Sequence, residues 1–564
     1  MSDWARRGGA RALASGFAAG VLLATPAAAQ APDTTAAAQH PDSTAAAQRP
    51  DSTAAPESPA EGLPIRRVVI VPRTIYEPVP PGRLAPAYRL ANRLHVRTRR
   101  GTIADQLLFA PGGRWSEAVG QETERNLRAL DFLASSRVLA ERDGDSARVT
   151  VETRDLWTTS PEFNLESVGS KSYGSVTLIE RNLMGLGKSV AFSYSEDPHG
   201  RGRSVSADDP GVRGSRLRVH YAASNGSGGA MDQAILGVPF YAESTPRSYG
   251  FSWSRSTSVV QLFQRAQVAA DFDQREEQTE AFWGLGSDRR GLVRRLTGSW
   301  FADDLRRSPS RLEPRAPPKF AGAEQSLRLR RLAVEGRLWR PSYIERTHVN
   351  RMGLVEDFDL GKSIALKLGV APRFLGSTAS EGYARVRLDA GADTRFGFGW
   401  TRASLSTRVR RDPLETLGQI EARWVHQQAA RHAQVLAAYG ASGSRAPRDF
   451  QIVVGGLSGL RAYPVQAIAG RGVWRLNAED RWTFLQNFGE ILTAGAVAFA
   501  DAARGWGPGS EGAGWFLAAG AGLRLALPQW SVNQVVRIDL AWPIQPTRDG
   551  RREPVLSFGS SQAF

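Results

Sequence analysis

From about Thr158 to the end of the chain, polar and apolar residues alternate with period two in segments of roughly ten residues. Arg247 to Ser258, Tyr383 to Leu388, Phe398 to Val409, Trp515 to Leu527, Val535 to Pro543 and Pro554 to Phe564 are such segments, set apart by clusters of Gly, Pro, Asp and Ser. Period two gives each strand one apolar and one polar face, the weak but cumulative pattern of a closed transmembrane sheet. About 400 residues at about 25 per strand and loop predict about 16 strands, an even number within the range for single-chain barrels. Residues 63–157 read differently, as mixed α and β. Ile65 to Val71 is a β-branched run, and Ala147 to Thr153 alternates as a half-buried strand does. Between them Ser116 is placed to cap a helix running to about Ala134, with Val119, Thr123, Leu127, Leu130 and Ala134 on one stripe and Glu124 four residues before Arg128. A shorter helix, Ile103 to Phe109, precedes it, so the expected order is strand, helix, helix, strand, strand.

The N-terminus carries no folded pattern. Residues 1–29 have a basic start (Arg6, Arg7, Arg11), an apolar stretch from Ala12 to Ala24 and small residues Ala27 to Ala29, the layout of a secretory signal. Residues 30–62 hold a nine-residue repeat, Pro32 to His40, Pro41 to Arg49 and then Pro50 onward, rich in Ala, Thr and Asp. With little to bury, this stretch cannot offset its ordering entropy and is expected to be a disordered tether. Past the signal no apolar run is long enough for a membrane-spanning helix.

Composition narrows the classes further. A mean hydropathy of -0.32 excludes a helical membrane bundle, whereas barrel strands tolerate it because half their positions are polar. The 57 glycines and the 15 Trp, 23 Phe and 11 Tyr suit tight turns and interfacial girdles. With no cysteine, disulfides and thiolate metal sites are excluded. A formal charge of +16 ordinarily raises nucleic acid as a partner. Here the basic residues are spread and alternate with apolar ones, as in Ser326 to Arg330, which suits a wet lumen or anionic headgroups instead.

Familiar catalytic patterns fail on spacing. Gly187-Lys188-Ser189 and Gly361-Lys362-Ser363 imitate the end of a phosphate-binding loop, but Asn182 and Glu356 stand where its first glycine belongs, so both read as turns leading into strands. No nucleophile elbow is present, and His199, His220, His348, His426 and His432 fall in different segments without metal-ligand spacing. A barrel hydrolase assembled from adjacent strands, for example around His220, is the remaining enzymatic alternative. No enzyme activity, metal or cofactor is expected.

The most informative run is Gly455-Gly456, then Leu460-Arg461-Ala462-Tyr463-Pro464, then Asn477 and Glu479, then Phe499-Ala500-Asp501. It resembles the signature of the BamA/TamA superfamily of outer-membrane proteins, in which a long loop folds an Arg-Gly-aromatic motif back into a β-barrel. The resemblance implies that Arg461 meets Glu479 and Asp501 on two neighbouring strands. Asp480 adjoins Glu479, so alternation alone leaves open which of the two faces inward. Ala462 stands where the family usually has glycine; if that position needs a positive φ, alanine is costly there. The C-terminus is similar to that of outer-membrane barrels, with Ser557, Gly559 and a final Phe564. The hairpin Ser175 to Tyr194, turning at Asn182 to Gly187, resembles barrel strands 1 and 2. The words Asn92 to His95, Leu107 to Phe109 and Glu122 to Arg128 are similar to those of single-POTRA members, POTRA being the small periplasmic module of this superfamily.

The resemblance therefore implies a mainly β protein: signal peptide 1–29, tether 30–62, one α/β POTRA domain 63–157, and an outer-membrane β-barrel 158–564. It implies an assembly or translocation factor in the outer membrane of a Gram-negative-type envelope, with tether and POTRA in the periplasm. Its expected partners are outer-membrane lipids, unfolded outer-membrane protein clients and periplasmic accessory proteins, with no nucleic acid. Client strands would be captured on the POTRA sheet edge and templated at the barrel seam. A passive pore or surface-exposed structural barrel is the alternative.

Overall fold

The computed structural model describes residues 59–564 apart from 169–170, 198–199, 265–266, 411–412, 446–449, 457–458, 465, 508–509, 511–513, 531–534, 547–551, 561 and 564. The expected signal, most of the tether and the terminal Phe564 lie outside the described residues.

The first ordered unit runs β1 (Ile65–Arg73), α1 (Ala85–Leu94), α2 (Arg100–Ala104), α3 (Glu117–Arg128), β2 (Leu133–Asp143) and β3 (Ser146–Asp155). Its sheet has the order β1-β3-β2, with β1 parallel and β2 antiparallel to β3. Ala147, Val149 and Val151, alternate on β3, pack with Ile65, Ile103, Trp115, Leu127 and Leu133 in one core, which also takes in Ala60. Gly120 is fixed by that core, because a Cβ there would lie 2.4 Å from the Trp115 indole.

Four helix details depart from the sequence pattern. Ser116 occupies the N-cap position of α3, but its side chain makes no capping bond. The helix stops at Arg128 rather than near Ala134, because Leu133 and Ala134 are fully buried as the start of β2. The short helix covers Arg100–Ala104 instead of 103–109, and α1 is additional. Only Ala85 and Tyr88 of α1 are buried, so it lacks the apolar stripe that marks a core helix.

Twenty antiparallel strands, not about 16, close a barrel between Thr159 and Ser560, and a two-residue strand, Arg311–Leu312, pairs outside the main ladder. The excess arises early, where six strands fit within residues 159–238 because their turns are short. The hairpin at Ser175 to Tyr194 accordingly forms barrel strands two and three, since Thr159–Val168 precedes it. Both Gly-Lys-Ser words lie where strands begin, at Ser189 and at Lys362.

Alternation is executed literally. In Lys362–Ala371 the outward residues Ile364, Leu366, Leu368 and Val370 are exposed, while Ser363, Ala365 and Lys367 are buried toward the lumen, where Lys367 meets Glu280 at 3.2 Å. Trp283, Trp300, Leu332, Val334, Leu405, Leu436 and Leu523 continue that outward apolar band around the wall. So much exposed apolar surface on a sheet with every interior edge paired is the design for a hydrocarbon surround. The last strand, Val555–Ser560, is paired from Val536↔Ser560 to Ala541↔Val555 with its predecessor. Among the described residues it meets the first strand through Leu556↔Ser167, Ser557↔Glu166 and Phe558↔Leu165.

The α/β unit sits against one rim. Asp155 at the end of β3 accepts from the Thr98 hydroxyl at 2.7 Å and lies 2.9 Å from His95 Nε2, and Asn182 in a rim turn donates to Thr98 Oγ1 at 2.8 Å. Arg216 to the Leu107 carbonyl, Asn126 to the Tyr241 carbonyl and Tyr88 to the Gly489 carbonyl extend the contact around the same rim.

Candidate functional site

The chain between Ser444 and Gly472 leaves the opposite rim and turns back into the lumen. Its bend relies on Gly456 and Gly459, with φ of 55° and 95°; a Cβ on Gly459 would also lie 2.7 Å from Arg475 Cδ. Gly455, at φ 158°, is close to extended. The Gly456 N–H donates to the Tyr463 carbonyl at 2.9 Å, closing the loop on itself. Ala462 is absent from the described non-glycine residues of positive φ, so alanine there carries no backbone penalty, and its methyl is buried with Leu460 and Tyr463. The Tyr463 hydroxyl lies 3.0 Å from both the Leu517 and Gln545 carbonyl oxygens, and its ring meets Phe516 edge-on at 5.2 Å.

Arg461 is 1% exposed and reaches the two acids expected of it. Its Nε and Nη2 donate to the two oxygens of Asp501 at 2.8 and 2.7 Å, and Nη1 donates to Glu479 Oε1 at 2.5 Å. The guanidinium plane lies over Phe499, 3.4 Å from its centroid. Glu479 is thus the inward acid of its strand, whereas Asp480 lies 2.6 Å from His432 Nε2. Asn477, paired across strands with Asp501, donates to Asp501 Oδ1 at 2.8 Å and to the Gly459 carbonyl at 2.7 Å. These bonds turn a long loop into a fixed lumen element: a bidentate arginine is satisfied in a dry site only when its carboxylates are held in place.

The cluster is larger than the sequence suggested. Asp539 approaches Arg461 Nη1 at 3.4 Å and accepts from Arg524 Nη1 at 2.6 Å, and Arg537 lies 3.5 Å from it. Arg481 donates from Nε to Glu479 Oε2 at 2.8 Å. Four guanidiniums therefore surround three carboxylates, Glu479, Asp501 and Asp539, all fully buried. The missed signal is the alternation Arg537, Asp539 inside an otherwise apolar strand, which places two charges on the lumen face. Ser557 and Gly559 belong to this neighbourhood too. Ser557 is buried opposite Asp539, and Gly559 pairs with Arg537, whose Nη2 would lie 3.2 Å from a Cβ at that position. Their partner in the terminal pattern, Phe564, lies outside the described residues.

A second segment enters from the rim that carries the α/β unit. The hairpin Tyr343–Thr347 and Val355–Asp359 is not part of the barrel wall. Its tip buries Val349 against Phe398, Val425 and Val435, Met352 against Ala526 and Val535, and Leu354 against Ala134 and Leu156. Glu356 holds the tip by accepting the N–H groups of Val349, Asn350 and Arg351. On its other side Asp357 and Glu345 receive Arg128 of α3 at 2.5 and 2.9 Å. No sequence pattern announced this hairpin, because its partners come from distant parts of the chain. Of the histidines considered, His220 lies 3.4 Å from Asp208 on the next strand. No cluster of three or more His, Asp or Glu able to hold a metal occurs among the described residues.

Comparison with known proteins finds no matching family model and no matching curated protein. Among solved structures, the chain is similar to BamA from Haemophilus ducreyi lacking POTRA domains 1-3, at 12% identity, covering 88% of this chain and 84% of that one, with a TM-score of 0.38. It is also similar to CdiB from Acinetobacter baumannii (11% identity, 89% of this chain, 74% of that one, TM-score 0.45) and to CdiB from Escherichia coli (12%, 89%, 77%, 0.46). With TM-scores below 0.5 at these identities, the likenesses carry no argument about fold or activity. In its closed barrel, and in the arginine that its lumen loop brings to acids on two neighbouring strands, this chain is similar to the BamA/TamA superfamily of outer-membrane proteins.

Proposed function

We propose that this protein is an outer-membrane assembly or translocation factor, a barrel that helps other proteins insert into or cross the membrane without cofactor or nucleotide. The observation that carries the reading is the buried Arg461 held between Glu479 and Asp501, the arrangement implied by the resemblance of the loop sequence. A lone lumen charge would be solvated; one fixed by three buried carboxylates pins a loop against three of the last five barrel strands. In this reading the α/β unit is a POTRA domain lying in the periplasm. Its sheet has two outer strands, β1 and β2; on β2 Glu124 already occupies the Val138 N–H at 3.1 Å, so a client strand added to that edge would lie beyond that point, toward Asp143. The ladder that an incoming strand would displace is the junction with the first strand, three pairs at Leu556 to Phe558 among the described residues. The pore alternative has less support, because segments from both rims occupy the lumen. No catalytic step is assigned.

The deciding experiment is the rate at which an unfolded outer-membrane barrel inserts into liposomes containing residues 30–564, with Arg461→Ala alongside. Acceleration that Arg461→Ala loses while its own barrel remains folded is the expected result. No acceleration over empty liposomes would return the reading to a pore, for which planar-bilayer conductance is the measurement.

A further inference from the structure

We propose that residues 83–100, α1 and the strand-like stretch after it, form a docking surface for the anionic headgroups of the adjoining lipid leaflet, directly beside the barrel seam. The inference needs the barrel to sit in a bilayer but not the handling of client proteins.

Charge is the first observation. Between Glu77 and Asp105 there is no acidic residue, yet Arg83, Arg89, Arg93, Arg97, Arg99 and Arg100 all fall in that interval, and all are exposed. Arg97 pairs with Glu77 and Arg99 bonds the Met184 carbonyl, whereas Arg83, Arg89 and Arg93 make no ion pair or hydrogen bond among the described residues.

Shape is the second. Tyr88 and Asn92 turn α1 toward the protein, Tyr88 to the Gly489 carbonyl and Asn92 to Tyr76. Helical periodicity then sets Leu84, Leu90 and Leu94 on the arc continuing from the rim contact, with Arg89 and Arg93 along its border. These leucines are 44, 57 and 64% exposed, and Val96 follows at 56%. A surface helix in water buries such residues; a basic helix with an uncovered leucine row suits the plane of a membrane interface.

Position is the third. The stretch is anchored at Gly489, in the turn after Gly472–Phe488, and at Met184 and Gly185, in the turn after Lys171–Glu180. Between those two turns on the rim lie the last barrel strand and the first, so residues 83–100 pass beneath the seam. Phe484, Phe488 and Ile491 by the first anchor, and Leu183 and Met184 by the second, are exposed on the same rim, so the apolar band of the wall continues onto the helix. Lipid held there would adjoin the ends of the two seam strands on that rim, Thr159 of the first and Ser560 of the last.

The absence of cysteine allows single labels to be placed cleanly. Leu94→Cys and, as a reference on the turn at the far end of β3, Asp145→Cys would carry an environment-sensitive fluorophore. The protein would be held in nanodiscs of phosphatidylcholine alone or mixed with phosphatidylglycerol, with a nitroxide lipid as quencher. The expected result is quenching of the Leu94 label at least about twofold stronger in the anionic discs, reduced by salt and by Arg83→Gln/Arg89→Gln/Arg93→Gln, with the Asp145 label indifferent. Equal, weak quenching of both labels overturns the proposal. So does strong quenching at Leu94 that ignores lipid charge and the glutamine variant, because headgroup recognition is then absent. Shielding of Leu94 by an unfolded client in detergent but not by lipid overturns it as well, and assigns the surface to clients.

Discussion

Arg481 donates from Nη1 to the Val349 carbonyl oxygen at 2.6 Å while its Nε donates to Glu479. This arginine joins the lumen loop, which descends from one rim, to the hairpin tip, which enters from the other. From the tip the contacts run through Asp357 to Arg128 on α3. Arg461, Glu479, Arg481, Val349 and Glu356, then Asp357 next to it in the hairpin and Arg128, thus connect the loop to the α/β unit.

Breaking the path at its lower end should release the hairpin. Arg128→Ala leaves Asp357 and Glu124 facing one another in a largely buried site, at a cost of about 3 kcal/mol. Hydrogen exchange over residues 343–359 should accelerate by about a hundredfold, with a smaller effect for Arg128→Lys. Unchanged exchange in Arg128→Ala would show that the hairpin is seated by its apolar contacts alone.

At the upper end, Arg461→Ala strands Asp501 and takes from Glu479 one of its guanidinium partners, and it should destabilise the barrel by about 3 to 5 kcal/mol. Adding Asp501→Asn should cost less than the sum of the two single changes, because the stranded charge is then removed. Denaturant titrations of all three variants, read by the gel mobility of folded barrel, test this; strict additivity would mean that the two groups are not coupled.

Ala462→Gly, which restores the residue usual in the family, should not help. The position has no positive φ and its methyl is buried, so glycine should cost about 1 kcal/mol through chain entropy and lost packing. Gly459→Ala, at φ 95° and against Arg475, should cost more. If Ala462→Gly proved the stabilising change, the loop would adopt another backbone.

Hairpin seating should depend on pH through His348. Burial first, then the nearby Arg431 charge, lowers its pKa to about 4, so the seated form favours the neutral ring. A released ring titrates near the ordinary value of about 6.5, so the released form binds more protons between the two values. Seating stability is therefore complete above about pH 6.5 and is lost as pH falls toward 4, by about 2 kcal/mol between pH 7 and pH 5. Exchange over 343–359, corrected for intrinsic rates, should show this fall. His348→Asn, which suits the φ of 60° and does not titrate in this range, should flatten it.

The rim contacts of Asn182 and Thr98 show how far local sequence could be read. Asn182 to Gly187 is legible as a turn, and the turn is there, but its role as a foothold for the α/β unit depends on Asp155 and Thr98 arriving from elsewhere. Strand count was underestimated for a similar reason: alternation marks strand faces but not where a short turn ends one strand and begins the next, as in residues 159–238. α1 escaped notice because the pattern for a buried helix is a buried stripe, and α1 leaves its leucines uncovered.

By itself the sequence determined the class of fold, because period-two alternation leaves a sheet no way to satisfy both faces and all its backbone groups except closure. Through the resemblance of its loop residues, it also implied that Arg461 meets acids on the two strands that follow the loop. Only the tertiary structure decided that Asp539, Arg524 and Arg537 complete the cluster, that Glu479 rather than Asp480 faces it, and that the hairpin at 343–359 meets it from the other side. Those are relations between strands brought together by closure of the barrel, and strand register and lumen geometry exist only once the sheet has closed.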